Sequence, residues 1–481
     1  MLVPEISLTP QMVDRFLARF GEQIAILHSK LSVGERYDEW QKIKNGEAKI
    51  VIGARSAIFA PVQNLGIIII DEEHDMSYKS DMSPKYNAKD LAKYIAEKSN
   101  CPLVLGSATP ELSTYKQALD NEIALFTLSK RANAASLPEV SIVDLRNELA
   151  NGNKSMLSLK LQNEIKNNIK NKKQTILFLN RRGYSTFVMC RDCGEAIKCK
   201  NCNISLTYHK YENKLKCHYC SFEMPVSKIC PSCGSSKVKY FGTGTQKLED
   251  EIHNLFPEAS TIRMDIDTVT KKNSHEEILN KFKNENIDIL IGTQMVVKGH
   301  HFPNVTLVGV IAADGALNIE DYKAVEKTFQ TLVQVSGRAG REAEKGQVII
   351  QTYNPDHYAI TYAQKQDYNL FYNAEIDLRK MLKYPPFCDI ILIRFIGKNL
   401  QEIEKVSNSV YNNFKKISNL QDVFIYQPVP SPIDKIKGKY RWRIVIKGKL
   451  NSKLLDVLYK SIDCKVKDTS ITVDINPNNM F

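Results

Sequence analysis

The segment IIIIDEEH (residues 67–74) decides how the first part of this 481-residue chain is interpreted. Its four isoleucines predict a strand that is buried on both faces, which is typical of a parallel sheet covered by helices. The acidic residues follow at once, at the strand end where open α/β sheets bind ligands. At this position Asp71 could bind Mg²⁺ and Glu72 could polarise an attacking water. An acidic, solvated loop after a strand is the alternative interpretation of these residues taken alone.

Short apolar runs alternate with amphipathic stretches around this segment, which predicts βαβ units and doubly wound sheets. In a first set, strands are predicted at residues 24–27, 49–52, 66–70 and 102–105, with helices at 34–44 and 88–98. In a second set, strands are predicted at residues 174–179, 262–264, 287–291, 306–311 and 347–351. The predicted fold class is therefore α/β, with two parallel-sheet lobes.

The predicted domain boundaries follow these two sets. The first lobe takes residues 1–130, a connector takes 131–155, and the second lobe takes 156–355. A cysteine-rich insert at residues 187–240 interrupts the second lobe. Around and after a Tyr-Pro-Pro-Phe break at 384–387, alternating strand and helix patterns predict a separate α+β domain over 360–481.

The composition is that of a globular protein with a basic balance. Hydrophobic residues make up 43%, charged residues 25%, and the formal net charge is +12. A basic chain suits a polyanionic partner, nucleic acid first and an anionic membrane second, although a proteome rich in Lys and Asn gives the same balance. The longest apolar run, residues 65–70, is too short to cross a bilayer, and we find no targeting signal. We therefore expect a cytoplasmic protein without a membrane partner.

Eight of the 11 cysteines lie between residues 190 and 233, as four C-x2-C pairs. In a reducing compartment such pairs indicate metal rather than disulfides, and eight thiolates complete two tetrahedral, structural Zn²⁺ sites. Spacing does not fix how the pairs combine, but a nested arrangement fits best because the inner pairs resemble a short zinc ribbon. The nested sites would be Cys199, Cys202, Cys217 and Cys220 inside, with Cys190, Cys193, Cys230 and Cys233 outside.

Three further stretches carry polar residues suited to nucleotide or DNA. LGSATP (residues 105–110) offers hydroxyls that could link a nucleotide to a bound strand, or it simply forms a turn with a helix N-cap. QVSGRAGR (334–341) places Arg338 and Arg341 where both could reach phosphate oxygens, although a charged helix end stopped by Gly340 is the alternative. LIGTQMVVKGHHFPNV (290–305) offers Thr293 and Lys298 for phosphate contacts.

The order of DEEH, SAT, GTQ and QxxGRxGR across two α/β sets resembles a superfamily II helicase. With the eight-cysteine insert, finer segments make the chain similar to the primosomal protein N′ family of bacterial replication-restart helicases over essentially its whole length. These segments are VPEISLTPQ (3–11), GARSAIFAP (53–61), DEEHDMSYK (71–79), LFLNRRGY (177–184), GTGTQKLEDE (242–251) and KGKYRWRIVIKG (437–448). The resemblance implies RecA-like lobes and the same nested zinc sites.

The same resemblance implies an ATP-dependent 3′→5′ DNA helicase that recognises stalled forks and D-loops and restarts replication by primosome assembly. Its expected partners are forked and single-stranded DNA, single-strand-binding protein and the proteins that load the replicative helicase. Mg²⁺ and ATP would be bound by Asp71, Glu72, Gln334, Arg338 and Arg341. A non-catalytic, zinc-stabilised DNA-binding fragment is the alternative, and an RNA helicase has no support from the cysteine insert.

Residues expected to contact DNA fall in four places. Arg55 lies in the GARSAIFAP segment. Tyr78 and Tyr86 lie in the loop after DEEH, residues 75–90, which the resemblance associates with coupling DNA binding to ATP use. Thr293 and Lys298 follow a strand of the second lobe. The segment 435–449 carries seven positive charges and no negative one, which suits either stacking with phosphate contact or a solvated basic edge strand. Its candidate DNA contacts are Tyr440, Arg441, Trp442 and Arg443.

The opening MLVPEISLTP reads as the end of a buried strand, Leu2 and Val3, followed by a turn and a helix from about residue 9. By resemblance this is the second strand of the first lobe. No G-x-x-x-x-G-K-[ST] phosphate loop occurs in the 481 residues. We therefore expect an incomplete first lobe with an unpaired sheet edge, and negligible ATP hydrolysis by this chain alone.

Overall fold

The computed structural model describes the chain except for a set of short segments. These are residues 5–9, 30, 129–136, 180–186, 202–203, 210–213, 218–221, 241–243, 266–273, 294–301, 320, 341–345, 418–420, 465–467 and 481. The chain divides into two compact units. The first takes Met1–Ala132, Met264–Glu285 and Gln294–Pro303, and the second takes Asn133–Arg263, Asn286–Thr293 and Asn304–Phe481.

The first unit alternates helices and strands. In chain order they are α1 Pro10–Phe20, β1 Ile24–Leu27, α2 Val33–Lys44, β2 Ile50–Gly53, β3 Ile68–Ile70, α3 Ala88–Ser99, β4 Leu103–Leu105 and α4 Leu112–Leu119. β1 pairs with β2 and β3 pairs with β4, both in parallel. The strands lie within two residues of the predicted positions, because buried runs of Ile and Val mark them clearly.

Leu2 joins these two pairs of strands into one sheet. It bridges Gly53 at the end of β2 and Ile70 at the end of β3, both in parallel. The N–H of Leu2 donates to the Ile69 carbonyl at 2.7 Å, and its carbonyl accepts from the N–H of Asp71 at 3.0 Å. The prediction that the opening residues lie in the sheet of the first lobe is confirmed by these bonds.

The two ends of this sheet differ in how they are covered. Glu39 of α2 accepts the N–H of Ile26 at 2.8 Å, and Lys42 donates to the Ile24 carbonyl at 2.9 Å. These side chains form hydrogen bonds with backbone groups of β1 that an edge strand otherwise presents to solvent. At the other end, β4 leaves the Val104 side chain 44% exposed.

The second unit contains a six-stranded sheet. Its strands are β5 Glu139–Asp144, β6 Gln174–Leu179, β12 Thr261–Met264, β13 Ile289–Gly292, β14 Val305–Ile311 and β15 Gln347–Thr352. Their order is β12-β13-β6-β14-β15-β5, with parallel pairing from β13 through to β5. β5 falls inside the range 131–155 expected as a connector, yet it pairs with β15 along its whole length.

Helices alternate with these strands along the chain, and α8 is grouped with the first unit. They are α5 Leu145–Ala150, α6 Leu159–Lys170, α7 Thr245–Leu255, α8 Ser274–Asn284, α9 Asp314–Leu317 and α10 Ala324–Ser336. The cysteine-rich insert adds short antiparallel strands, with β7 pairing β11 and β9 lying between β8 and β10. These are β7 Val188–Cys190, β8 Thr207–His209, β9 Lys214–Lys216, β10 Glu223–Pro225 and β11 Val238–Tyr240.

The C-terminal region is α+β, as predicted. Its elements are α11 Tyr358–Lys365, α12 Tyr368–Met381, β16 Asp389–Gly397, α13 Leu400–Ile417, β17 Phe424–Ile425, β18 Val429–Ile436, β19 Lys439–Gly448, α14 Ser452–Ile462 and β20 Thr469–Ile475. The sheet order is β17-β19-β16-β20, with β18 also on β19, and the pairing is antiparallel.

One apolar cluster joins this C-terminal sheet to the cysteine-rich insert. Leu215 and Cys217 of the insert share it with Ile390, Leu392 and Val445 of the sheet. In this cluster the insert and the C-terminal sheet therefore share one hydrophobic core. Within the described residues, no helix is both long and apolar enough to cross a membrane.

Candidate metal centre and ATP site

Four cysteines of the insert bring their sulfurs together. The Sγ atoms of Cys190, Cys193, Cys230 and Cys233 all lie within 4.8 Å of one another. Cys190 Sγ is 3.7 Å from Cys233 Sγ, and Cys193 Sγ is 3.6 Å from Cys230 Sγ. Sulfurs bound to one tetrahedral Zn²⁺ at about 2.3 Å are about 3.8 Å apart. The donor set of this outer quartet therefore fits a closed zinc site.

The first cysteine of each C-x2-C pair makes the same kind of backbone hydrogen bond. In each, the N–H of the first cysteine donates to the carbonyl five residues later, at 2.8–2.9 Å: Cys190 to Glu195, Cys199 to Ile204, Cys217 to Phe222 and Cys230 to Ser235. Cys199 and Cys217 are also buried in one cluster. Their predicted partners Cys202 and Cys220 lie outside the described residues. The described half of the inner site thus shares the local backbone geometry of the outer quartet.

The two turns of the outer quartet end on glycines in the left-handed conformation. Gly194 has φ 76° and Gly234 has φ 74°. Each donates its N–H to the carbonyl of the first cysteine of its pair, at 2.9 and 3.0 Å. A Cβ on Gly194 would lie 1.9 Å from the Tyr353 carbonyl oxygen, whereas one on Gly234 would meet no atom of the described residues within 4 Å. The first turn therefore packs against the backbone of the segment after β15. The second turn has no such contact with the described residues at Gly234.

Burial and hydrogen bonding act in opposite directions on these thiols. Burial disfavours the Cys230 thiolate, but hydrogen bonds from the N–H groups of Cys233 and Ser232 outweigh it and lower the pKa of Cys230 to about 7. Burial raises the pKa of Cys193 to about 12. Arg146 donates to the Cys193 carbonyl at 3.4 Å while its Nε and Nη2 hold Asp144. A bound cation favours the thiolate form of every ligand.

In the first unit, the DEEH and SAT stretches meet at the carboxyl ends of β3 and β4. His74 Nδ1 lies 2.7 Å from Ser107 Oγ. The N–H of Glu73 donates to the Gly106 carbonyl at 3.0 Å, and the N–H of Thr109 donates to Ser107 Oγ at 3.0 Å. The carboxyl ends of neighbouring parallel strands share one edge of a sheet, which explains this meeting. We call it the DEEH–SAT junction.

Asp71 and Glu72, the predicted metal ligand and water-polarising base, lie at this junction. Glu72 has φ 46°, a left-handed conformation that is uncommon for a residue with a side chain. Asp71 Oδ1 accepts the N–H of Glu72 at 3.0 Å. Burial raises the pKa of Asp71, and the bond from Glu72 opposes that rise. Backbone strain beside half-buried carboxylates is typical of functional sites.

Glu73 is the member of the junction that the sequence analysis missed. Its side chain is only 1% exposed, and its carboxylate accepts from the Glu111 N–H at 2.6 Å, Lys89 Nζ at 2.9 Å and Thr114 Oγ1 at 3.0 Å. Three donors compensate the burial of the charge. No sequence signal separates Glu73 from Glu72, because only the turn decides which acid points inward.

Tyr78 does not fit the predicted role of a DNA contact. It is 1% exposed and lies in the apolar cluster of the first unit, and its hydroxyl donates to the Asp71 carbonyl at 2.6 Å. A ring in this position has no face available for stacking on a base. Tyr78 instead holds the backbone of Asp71 in place through this hydrogen bond.

Arg55 and Tyr86, two other predicted contacts, lie side by side. Arg55 donates to the carbonyls of Ser77 and Lys79 at 3.1 and 2.7 Å, and its guanidinium is 5.7 Å from the centre of the Tyr86 ring. Phe59 packs edge-on against Tyr86 with 5.1 Å between ring centres, and it is 59% exposed. The sequence analysis missed Phe59, although GARSAIFAP contains it as its one aromatic residue.

The predicted phosphate contacts of the second unit are only partly described. Gln334 lies in the last turn of α10, and Arg338 follows the end of that helix at Ser336. The helix ends before Gly337, earlier than the stop at Gly340 that the alternative interpretation of this stretch requires. Thr293 directly follows β13. Arg341 and Lys298 lie outside the described residues.

Four family models match successive parts of the chain. They are the DEAD/DEAH box helicase at residues 1–118, the PriA DNA helicase Cys-rich region domain at 199–225, the helicase conserved C-terminal domain at 232–343 and the Primosomal protein N C-terminal domain at 380–478. The replication restart protein PriA of Borreliella burgdorferi is 37% identical over 485 residues, covering 100% of this chain and 72% of that protein. This chain belongs to the PriA family.

Other PriA proteins are similar over the whole chain. PriA of Bacillus subtilis is 49% identical over 486 residues, covering 100% of this chain and 60% of that protein. PriA of a Synechocystis strain is 43% identical, covering 99% and 58%. The chain thus spans about three fifths of the length of these two relatives. The resemblance and the fold class predicted from the sequence, two helicase lobes with a cysteine-rich insert and a C-terminal domain, are confirmed.

The basic segment of the PriA C-terminal domain is buried more deeply than predicted. β19 pairs with β16 on one side and with β17 and β18 on the other, so it is not the solvated edge strand of the alternative interpretation. Arg443 is 0% exposed. Burial, with help from Arg394, lowers the pKa of Arg441.

The aromatic residues of this strand also face inward. Tyr440 and Trp442 pack with Ile444 and Ile446 on the side of the sheet that α13 and α14 cover. This follows from the alternation of side chains along a strand, since residues two apart share one face. Both side chains are half-buried, and their contacts with DNA remain a prediction.

Proposed function

We propose that this chain is the motor and zinc-binding part of an ATP-dependent DNA helicase of replication restart. It would act in the cytoplasm, move 3′→5′ on single-stranded DNA and assemble a primosome at stalled forks and D-loops. Its partners would be single-strand-binding protein and the proteins that load the replicative helicase. The observation that carries the proposal is the DEEH–SAT junction in a chain of the PriA family.

The proposed chemistry assigns a role to each acid of the junction. Asp71 would bind Mg²⁺, which neutralises charge on the phosphates. Glu72 would orient the attacking water and accept its proton. Gln334, Arg338 and Arg341 would supply donors and positive charge to the phosphate oxygens. The His74–Ser107 contact supports this proposal because it links the acidic stretch to SAT by a direct side-chain contact.

ATP hydrolysis tests the proposal. The 481 residues contain no phosphate-loop motif, so we expect negligible DNA-stimulated ATPase activity from this chain alone. When the chain is joined to a strand, phosphate loop and helix from a PriA relative, we expect DNA-stimulated hydrolysis that Glu72→Gln abolishes while nucleotide binding persists. Strong hydrolysis by residues 1–481 alone, lost on Glu72→Gln, would contradict the proposed need for that loop.

We propose two structural zinc ions, one in the outer quartet and one bound by Cys199, Cys202, Cys217 and Cys220. The sulfur distances of the outer quartet support this, and so does the backbone bond that the first cysteine of each of the four pairs makes. Elemental analysis of purified protein should find about two Zn²⁺ per chain. A value near zero, or near one, would contradict the two-site assignment.

For single-stranded DNA we propose a surface made by Arg55, Phe59 and Tyr86. An exposed ring beside a second ring and a guanidinium offers a base both stacking and charge. Phe59→Ala with Tyr86→Ala should weaken binding of a thymidine oligonucleotide by about tenfold or more, and binding should weaken with added salt. The matched control is Tyr94→Ala, which removes a 58% exposed ring that also carries a lysine, Lys98, over its face. Equal loss in both variants would contradict the assignment.

A non-catalytic, zinc-stabilised DNA-binding protein is the second candidate. The complete outer quartet in a chain without a phosphate-loop motif favours it. It predicts zinc binding and DNA binding by the chain, with no ATPase activity even after a phosphate-loop segment is joined to it. That last measurement separates the two candidates.

A further inference from the structure

A buried ion cluster lies directly beside the DEEH–SAT junction. Lys89 Nζ donates to Glu73 at 2.9 Å and also forms a short ion pair with Glu111. The side chains of Glu73, Lys89 and Glu111 are 1%, 15% and 22% exposed. Burial alone would lower the pKa of Lys89, but the two carboxylates outweigh burial and raise it. The lysine therefore stays charged between two acids.

Each member of the cluster belongs to a different segment of the first unit. Glu73 stands between Glu72 and His74 in the DEEH turn. Glu111 is the residue before α4, and its N–H donates to Glu73 at 2.6 Å. Lys89 lies in the first turn of α3, directly after the loop that Arg55 holds through the Ser77 and Lys79 carbonyls. One cation thus joins the DEEH turn, the segment after SAT and the helix after the loop.

We propose that Lys89 is a positioning residue, which through Glu73 holds His74 against Ser107. A buried carboxylate such as Glu73 and a half-buried one such as Glu111 repel each other unless a cation lies between them. Without that cation, Glu73 and Glu111 separate, and the turn that carries Glu73 moves from Gly106. His74 is the next residue, so its Nδ1 moves away from Ser107 Oγ and the 2.7 Å contact is lost. This inference rests on the proposed ATP site, although its test requires neither nucleotide nor turnover.

Side-chain ¹⁵N NMR of the imidazole reports on this contact in the full 481-residue chain. The His74 side chain is 5% exposed and bonded through Nδ1, so we expect a single tautomer with distinct Nδ1 and Nε2 resonances. His74→Gln assigns these signals. Lys89→Met removes the charge at similar length, Lys89→Arg keeps the charge, and Lys93→Met on the exposed side of α3 is the matched control.

Lys89→Met should lose the single-tautomer signature, whereas Lys89→Arg and Lys93→Met should retain it. An unchanged His74 spectrum in Lys89→Met overturns the proposal, and so does a loss that Lys89→Arg fails to restore. If Lys89→Met does not fold, the double variant Lys89→Met with Glu111→Gln decides, because it removes the cation together with one of the two repelling carboxylates and keeps the Glu111 N–H. A folded double variant with the single-tautomer signature supports the proposal, and a double variant that stays unfolded or lacks the signature overturns it. Failure of the ATPase tests would leave these outcomes unaffected.

Discussion

The outer quartet and the DEEH–SAT junction are both small polar sites, but they are held together differently. The quartet consists of two copies of one local turn, each with a backbone bond spanning five residues. The junction consists of single contacts between distant residues, such as His74 with Ser107 and Glu73 with Thr114. The first site is a local turn that occurs twice and offers its sulfurs to a metal. The second site forms only when neighbouring strands of the sheet bring distant residues together.

This difference implies different energies. A structural zinc ion contributes on the order of 10 kcal/mol to the folding of its site. A single hydrogen bond of the junction contributes about 1 kcal/mol net, although leaving a buried group without its partner costs more. Disturbing the quartet should therefore unfold the insert outright, and disturbing the junction should change stability by small steps.

The largest expected effect is the loss of a quartet cysteine. Cys230→Ser removes a thiolate, so the zinc content should fall by about one ion per chain and the pairing of β7 with β11 should be lost. The first unit should unfold at its usual temperature, because it shares no ligand with the quartet. The matched control is Cys388→Ser, a half-buried thiol that donates to the Lys383 carbonyl at 2.9 Å. Zinc analysis and circular dichroism during heating measure both variants, and unchanged zinc in Cys230→Ser would contradict the assignment.

The next effect compares the two turns of the quartet with each other. Gly234→Ala places a side chain at φ 74° in open space and should cost about 1 kcal/mol. Gly194→Ala has the same φ penalty and also drives its Cβ into the Tyr353 backbone, so it should cost roughly 4 kcal/mol. Urea unfolding of the second unit gives both values. Equal costs would mean that the first turn is not seated on the segment after β15.

A smaller effect should appear with pH in the second unit. Burial, aided by nearby Lys198, lowers the pKa of His357 from 6.5 to about 4, and its Nδ1 accepts the Ala359 N–H at 3.2 Å at the start of α11. Between these two pH values the unfolded chain binds a proton that the folded chain rejects, so stability falls as pH falls. The loss should reach roughly 3 kcal/mol near pH 4.

His357→Asn tests this pH dependence, because asparagine keeps a helix cap without a titrating group. Urea unfolding at pH 7 and pH 4.5 should show a flatter dependence for His357→Asn than for the unchanged protein. The same acid loss in both proteins would show that other groups, such as the quartet thiols, dominate the pH response.

The smallest expected effect lies at the junction. Tyr78→Phe removes the hydroxyl that donates to the Asp71 carbonyl at 2.6 Å, and the first unit should lose about 1 kcal/mol of unfolding free energy. Tyr94→Phe, at a 58% exposed ring, should change it by less than about 0.5 kcal/mol. Zinc content should stay the same in both variants. A loss of zinc in Tyr78→Phe would break the comparison, because it would tie the two sites together.

Sequence patterns located most of the sheet residues. Runs such as residues 176–179 are apolar throughout and bounded by polar residues, so their ends are clear. Glu139–Asp144 lies in the range that the sequence analysis predicts to be a connector. It becomes a strand because β15 offers a free edge beside it. Pairing with a distant strand leaves no mark in a short local pattern.

Burial was the property that the sequence misjudged. Tyr78 and Trp442 lie among charged residues in the chain, which favoured a DNA-facing interpretation, yet both rings pack against apolar clusters. In β19 the charged and aromatic residues alternate, so the strand can turn its rings toward α13 and α14. Which face of a strand meets the core depends on its neighbours in the sheet.

The sequence by itself determined the family, the alternation of helices and strands and the four cysteine pairs, because each depends on residues close together in the chain. Only the tertiary structure decided that Glu73 points inward to Lys89 and Glu111, that Phe59 stands beside Tyr86, and that Arg443 is buried. These contacts join residues that are distant in sequence, and they form only when strands and helices have packed. Their identity therefore follows from the geometry of the sheet edge and of the helices beside it.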